Sequence, residues 1–217
     1  MISIIQAAGW PIWPLIMCSV VGLALIGERL WTLRAEQVTP AGLPERVIKA
    51  WVGGGAGAAL QVCDNSVMGR IFAASIAAGA DEQAMRYAAV QTGRLQSALL
   101  NKHLAAIATI ASIAPFLGLL GTVIGMIEMF NAQAAGMGGQ ADPSAMAAGI
   151  SVALYNTAFG LMVAVPALLA WRFLRAKVDA FVLQLEMGAE QLLQVRASQS
   201  RRRASAARAR AQEASAR

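Results

Sequence analysis

Thr122 and Thr157 stand in the middle of two long apolar stretches, 104–127 and 145–171, that hold no charged residue. A threonine hydroxyl donates one hydrogen bond and accepts two without carrying charge, so the chemistry open to it there is hydrogen bonding. In the first stretch Pro115, Gly118, Thr122, Gly125 and Met129 fall on one helical stripe. Gly121 and Gly125 also stand at the small-x-x-x-small spacing that lets a second helix approach closely. Pro115 lacks an N–H and leaves the Ala111 carbonyl without its usual helical donor. In the second stretch Gly149, Ala153, Thr157, Gly160 and Ala164 repeat the small-residue stripe, Pro166 follows, and Tyr155 and Asn156 add polarity beside Thr157. Two readings stay open on these residues alone. Each hydroxyl could bond its own helix or a neighbour within ordinary packing, worth about 0.6–2 kcal/mol. The two matching stripes could instead make a polar seam against another helix.

The elements that carry these residues follow from hydropathy. The 217 residues are 57% hydrophobic and 14% charged, with a mean hydropathy of +0.54; a soluble domain has fewer apolar and more charged residues. Apolar stretches run from about Trp10 to Ile26, from Leu104 to Ile127 and from Ala145 to Trp171. A bilayer core takes roughly 20 helical residues. The second and third therefore span comfortably, and the first spans if Leu30–Leu33 extend it while Glu28 and Arg29 reach the interface. The expected fold is an all-α membrane protein with three transmembrane helices.

All 18 Lys and Arg residues lie between Arg29 and Lys102 or between Arg172 and Arg217. The positive-inside rule then places both zones in the cytoplasm and leaves the N-terminus and the short loop at 131–144 outside. The resulting division is a periplasmic N-terminus and first span (1–33), a cytoplasmic helical segment (34–103), the second span (104–130), a periplasmic loop (131–144), the third span (145–171), a cytoplasmic helix extension (172–197) and a basic low-complexity tail (198–217). No Lys or Arg precedes the first apolar run and no clear cleavage site follows it, so a retained span is expected rather than a signal peptide.

In the cytoplasmic segment, Thr39–Pro44 reads as a turn, Glu45–Val52 as a short helix, Gly53–Gly57 as a break and Val67–Ala78 as another helix. Asp81 reads as an N-cap. From there one uninterrupted helix is expected over 82–130, about 70 Å long. Val178, Phe181, Val182, Leu185, Leu192 and Val195 recur at helical spacing past the third span. The second and third helices thus extend into a cytoplasmic helical bundle. The tail reads as solvated, partly disordered and attracted to anionic lipid headgroups, not to nucleic acid.

The run Ala114–Met126 followed by Gly149–Ala167, with Glu28-Arg29 closing the first span, resembles the MotA/TolQ/ExbB proton-channel family, nearer to ExbB and TolQ than to MotA. MotA-like chains usually carry a fourth span and a larger cytoplasmic loop. The resemblance implies a bacterial inner-membrane homopentamer enclosing the single-span helices of an ExbD- or TolR-like partner. That partner's intramembrane aspartate would carry the proton, and the complex would drive a TonB- or TolA-like protein. It also implies that Thr122 and Thr157 line the pore, with Tyr155 and Asn156 beside them. Pro115, Gly118, Gly121, Gly125, Gly149, Ala153, Gly160, Ala164 and Pro166 would serve helix packing. Many members carry a Glu where this chain has Val152, so an acidic relay within this subunit is not expected. The Tyr155-Asn156-Thr157 version favours an ExbB-like role in outer-membrane import over a TolQ-like role in outer-membrane integrity. A non-conducting scaffold is the remaining alternative.

Other classes find little support. The chain has one histidine and two cysteines, Cys18 and Cys63, that match no metal spacing. No nucleophile elbow occurs and no lysine follows the glycine run as in a P-loop. Neither catalysis nor a cofactor or metal is expected. Glu128 and Asp142 would lie near or beyond the outer surface and His103 at the inner edge, so no acidic or basic group sits at mid-depth. If protons pass, the titrating group must come from elsewhere.

Overall fold

The computed structural model describes residues 10–79, 81–135 and 143–215, and every regular element among them is a helix. In chain order these are α1 (Ile12–Thr32), α2 (Ala35–Val38), α3 (Leu43–Val62), α4 (Val67–Ala77), α5 (Glu82–Asn101), α6 (Leu104–Ala135) and α7 (Pro143–Ser215). Half of the loop expected at 131–144, residues 136–142 with Asp142 among them, falls outside the described residues. Three helical regions are long and apolar enough to cross a membrane: Ile12–Thr32 and parts of Glu82–Asn131 and Gly149–Arg210. Only 17%, 22% and 29% of their most apolar windows are buried within the chain. Side chains such as Phe116, Leu119, Leu161 and Met162 therefore face outward, as a lipid-facing or subunit-facing surface requires.

The chain divides into two compact units. The first comprises residues 1–31 and 103–175, and holds α1, α6 and the first part of α7. Ile12, Leu15, Gly22 and Arg29 form the buried face of α1. Leu15 packs with Ala114, Ala164, Leu117, Phe159 and Val163, and Gly22 lies opposite Ile110. Trp10, Trp13 and Trp31 are exposed at the two ends of α1, where amphipathic rings suit the membrane interfaces.

The second unit comprises residues 32–102 and 176–217. Its core includes Leu43, Val47, Trp51, Met68, Ile71, Phe72 and Met85, with Val178, Phe181, Leu185 and Leu192 from α7. Of the tail positions that recur at helical spacing, Val182 and Val195 are only half-buried. Gly188 gives Met68 and Phe72 room: a Cβ there would stand 3.1 Å from Met68 Cε. Thr39 Oγ1 donates to Gln184 Oε1 at 2.9 Å, Trp51 Nε1 donates to Gln199 Oε1 at 3.1 Å, and Arg86 pairs with Glu190 at 3.1 Å. The Ser66 hydroxyl accepts from Gly69 N–H at the start of α4, and the Asp81 carboxylate accepts from the Gln83 and Ala84 N–H groups at the start of α5. Each satisfies donors that a helix N-terminus leaves open.

Three local expectations are corrected. The helix expected over 82–130 is interrupted at Lys102–His103, where Lys102 turns extended (ψ 142) and His103 is left-handed (φ 63). Neither glycine nor proline marks the break; the contacts of His103 described below hold it. The break expected over Gly53–Gly57 narrows to Gly55 (φ 74, ψ −162) within α3. The tail is helical to Ser215 rather than partly disordered, in keeping with the high helix propensity of its alanines and arginines.

Candidate functional site

The two small-residue stripes meet each other inside the first unit. A Cβ added at Gly118 would stand 2.8 Å from the Asn156 carbonyl oxygen, 3.1 Å from Gly160 Cα and 3.2 Å from Thr157 Cα. One added at Gly160 would stand 2.8 Å from the Ala114 carbonyl oxygen and 3.0 Å from Gly118 Cα. Backbone thus meets backbone, which a side chain larger than hydrogen would prevent. Further along, Gly121 faces the Asn156 side chain, Gly125 faces Ala153, and Met129 lies over Gly149. As one partner's number rises the other's falls, so α6 and α7 run antiparallel here.

The contact line on α6 is Ala114, Gly118, Gly121, Gly125 and Met129; on α7 it is Ala164, Gly160, Asn156, Ala153 and Gly149. It differs by one residue at mid-helix from the stripe expected on spacing. Gly121 rather than Thr122, and Asn156 rather than Thr157, occupy the centre. Steps of four, three and four residues average about 3.7, close to the helical repeat of about 3.6, so the line stays on one face of each helix.

The remaining residues fall around that line. Thr122 and Thr157 are half-buried, Tyr155 is 45% exposed and Asn156 only 1%. The Thr122 hydroxyl donates to the Leu119 carbonyl at 2.7 Å, which leaves its oxygen able to accept from another group. Pro115 is half-buried beside Ala114, and Pro166 is exposed. The side chain of Val152 lies outside the described residues. No Asp, Glu, Lys, Arg or His occurs in 104–127 or 143–171.

At the opposite end of α6 from Met129, His103 meets the Glu28-Arg29 pair of α1. Its Nδ1 is 3.0 Å from Glu28 Oε2 and 3.2 Å from an Arg29 guanidinium nitrogen, which also donates to Glu28 Oε1 at 3.2 Å. The Arg29 side chain is 7% exposed. Spacing places Glu28 and Arg29 at a membrane edge and His103 at the inner edge without pairing them; the chain's one histidine, at the start of an apolar run, is the available signal.

The second unit contains a cleft of about 630 Å³ between α5 and α7, bordered by Arg86, Arg94, Glu186 and Glu190 over an apolar floor. Cys63, in the same unit, has its thiol pushed above the usual range by burial and then by the neighbouring Asp64 carboxylate.

Comparison with known proteins adds independent findings. Residues 64–187, more than half of the chain, match the model of the MotA/TolQ/ExbB proton channel family. Biopolymer transport protein exbB1 of Vibrio cholerae serotype O1 is 32% identical over 190 residues, 83% of this chain and 82% of that protein. An ExbB-like 3 biopolymer transport protein of Synechocystis sp. is 32% identical over 159 residues, 72% of this chain and 76% of the relative. Biopolymer transport protein ExbB of Aquifex aeolicus is 41% identical over 87 residues, covering 40% of this chain and 57% of the relative.

Proposed function

Because the chain belongs to the MotA/TolQ/ExbB proton channel family, we propose that it is the ExbB-like subunit of a proton-driven motor in a bacterial inner membrane. In this reading several copies form a ring, a pentamer as in the family, around the single-span helix of an ExbD- or TolR-like partner. The N-terminus is periplasmic and the C-terminus cytoplasmic, following the two Lys/Arg zones. The ring harnesses protons, each worth about 2.3 kcal/mol per 100 mV, to drive a TonB-like protein in outer-membrane import. The subunit is a channel wall rather than an enzyme.

One observation carries the reading. The helix pair offers two mid-membrane hydroxyls beside a glycine-lined contact, yet no acidic or basic side chain in residues 104–127 or 143–171. An intramembrane proton carrier needs an ionisable group, and such groups are costly enough in lipid to be placed only where they work. A wall with hydrogen-bonding groups and no titrating group of its own fits a partner that supplies one. Thr122 and Thr157 then stand as the neighbours that accept from or donate to the partner's aspartate.

The test is to purify the tagged protein from its native membranes in mild detergent and identify what accompanies it. A single-span protein with an aspartate in its span supports the motor, and a TonB-like rather than TolA-like third protein supports the import role. A ring that comes out with nothing inside it overturns the reading in favour of a non-conducting scaffold.

A further inference from the structure

The contact between Gly121 and Asn156 bears on how the two threonines are aimed. A Cβ added at Gly121 would stand 2.8 Å from both Cβ and Cγ of Asn156 and 2.9 Å from its Nδ2. The Asn156 side chain, 1% exposed, therefore fills the space that any larger residue at 121 would take. Thr122 and Thr157 each follow one member of this facing pair by a single residue.

One residue along a helix is a turn of about 100°. Viewed down α6 from its N-terminus, the step from Gly121 to Thr122 turns clockwise. Because α7 runs the other way, the step from Asn156 to Thr157 turns anticlockwise in the same view. Two facing positions rotated in opposite senses end on the same edge of the helix pair. Both hydroxyls thus emerge on one side. Tyr155, one residue before Asn156, is carried to the opposite edge.

We infer that Asn156 and Gly121 are a matched positioning pair, which sets the contact between α6 and α7 so that Thr122 and Thr157 share one edge and Tyr155 is excluded from it. Asn156 acts through the two threonines and does not itself face the translocated proton. The inference deepens the channel reading and rests on it for the meaning of the shared edge, but the geometry itself can be tested without proton transport.

The experiment uses the full chain with its co-purifying companions and compares the native sequence with Gly121→Ala and with Gly121→Ala combined with Asn156→Gly. Gly121→Ala overfills the contact. It is expected to lower proton uptake into reconstituted vesicles about tenfold while the assembly still purifies. The added Asn156→Gly removes the Cβ and Cγ that the new methyl would meet and is expected to bring uptake back to within about threefold of the native rate. A Gly121→Ala variant with native uptake, or one whose defect Asn156→Gly leaves unchanged, overturns the pairing.

The second readout is chemical. In a Cys18→Ala, Cys63→Ala background, a short bifunctional maleimide is expected to bridge Thr122→Cys to Thr157→Cys within one chain. The same reagent should leave the Thr122→Cys, Tyr155→Cys pair unbridged. Gly121→Ala should lower the yield of the first bridge and Asn156→Gly restore it. Equal bridging of both pairs overturns the shared edge. If the bridging follows expectation while the native complex takes up no protons, the positioning pair stands and the channel reading falls.

Discussion

His103 and Glu28 lie 75 positions apart, yet His103 Nδ1 comes within 3.0 Å of Glu28 Oε2. The same ring nitrogen is 3.2 Å from the Arg29 guanidinium. One nitrogen cannot donate to the carboxylate and accept from the guanidinium at once, so the tautomer and charge of His103 select which contact is a true hydrogen bond. Either way the three side chains tie the end of α1 to the start of α6. The left-handed backbone at His103, which costs a residue with a Cβ about 1–2 kcal/mol, is held in their midst.

Glu28→Gln is accordingly expected to destabilise the protein. It removes the anion beside a guanidinium whose side chain is only 7% exposed. Glu28 itself is 43% exposed, so screening limits the loss to about 1–2 kcal/mol. Thermal unfolding in detergent should show a lower midpoint for Glu28→Gln and little change for Glu36→Gln, an exposed carboxylate in α2. Equal midpoints would remove the tie from the account.

The glycines of α6 and α7 should differ sharply from glycines elsewhere. Gly118→Ala and Gly160→Ala each place a methyl 2.8 Å from a carbonyl oxygen of the facing helix, and backbone yields less easily than a side-chain tip. Each should cost about 1–3 kcal/mol and weaken detergent-resistant assembly. Gly27→Ala, with nothing within 4 Å of the added methyl, should be neutral or slightly stabilising, since alanine favours helix by roughly 0.8–1.0 kcal/mol over glycine. Matching losses at all three positions would speak against a close α6–α7 contact.

Cap removal offers a test confined to the second unit. Asp81 accepts from two backbone N–H groups, each at 3.3 Å, and Asp81→Ala should destabilise α5 by about 1 kcal/mol. Asp81→Ser should retain most of that stability. Amide hydrogen exchange at Gln83 and Ala84 is the direct readout: faster exchange in Asp81→Ala and near-native exchange in Asp81→Ser are expected.

Cys63 gives a pH dependence with a fixed sign. Burial, reinforced by the Asp64 charge, raises its thiol above the ordinary value. At any pH below that range less thiolate is present than on a free cysteine, and thiolate is the reactive form. Alkylation of Cys63 in a Cys18→Ala protein should therefore be slow at neutral pH. It should keep rising with pH beyond the point where a free thiol levels off. A plateau at the pH of a free thiol would contradict the burial.

Much of the fold could be read from the sequence because hydropathy and helical spacing are strong in the spans. The three apolar stretches became α1 and the apolar parts of α6 and α7, and Asp81 caps α5 as its position next to Glu82 suggested. What escaped was set by tertiary contact. Nothing local in Asn101-Lys102-His103 breaks a helix, and the Glu28-Arg29 pair that meets His103 lies far away in the chain. The centre of the α6–α7 contact escaped for a related reason. A spacing of 3.6 residues allows Gly121 or Thr122, and Asn156 or Thr157, to face the neighbour almost equally well. Only the facing helix decides between them, and it selects the glycine opposite the asparagine.

The most direct test of the channel reading is proton uptake by vesicles containing the complex purified from native membranes, driven by a potassium diffusion potential and followed with an internal pH dye. The native complex should take up protons. Thr122→Val and Thr157→Val should each abolish uptake while the same companions still co-purify, because valine keeps the shape and removes the hydroxyl. Uptake at the native rate in both variants would contradict the account.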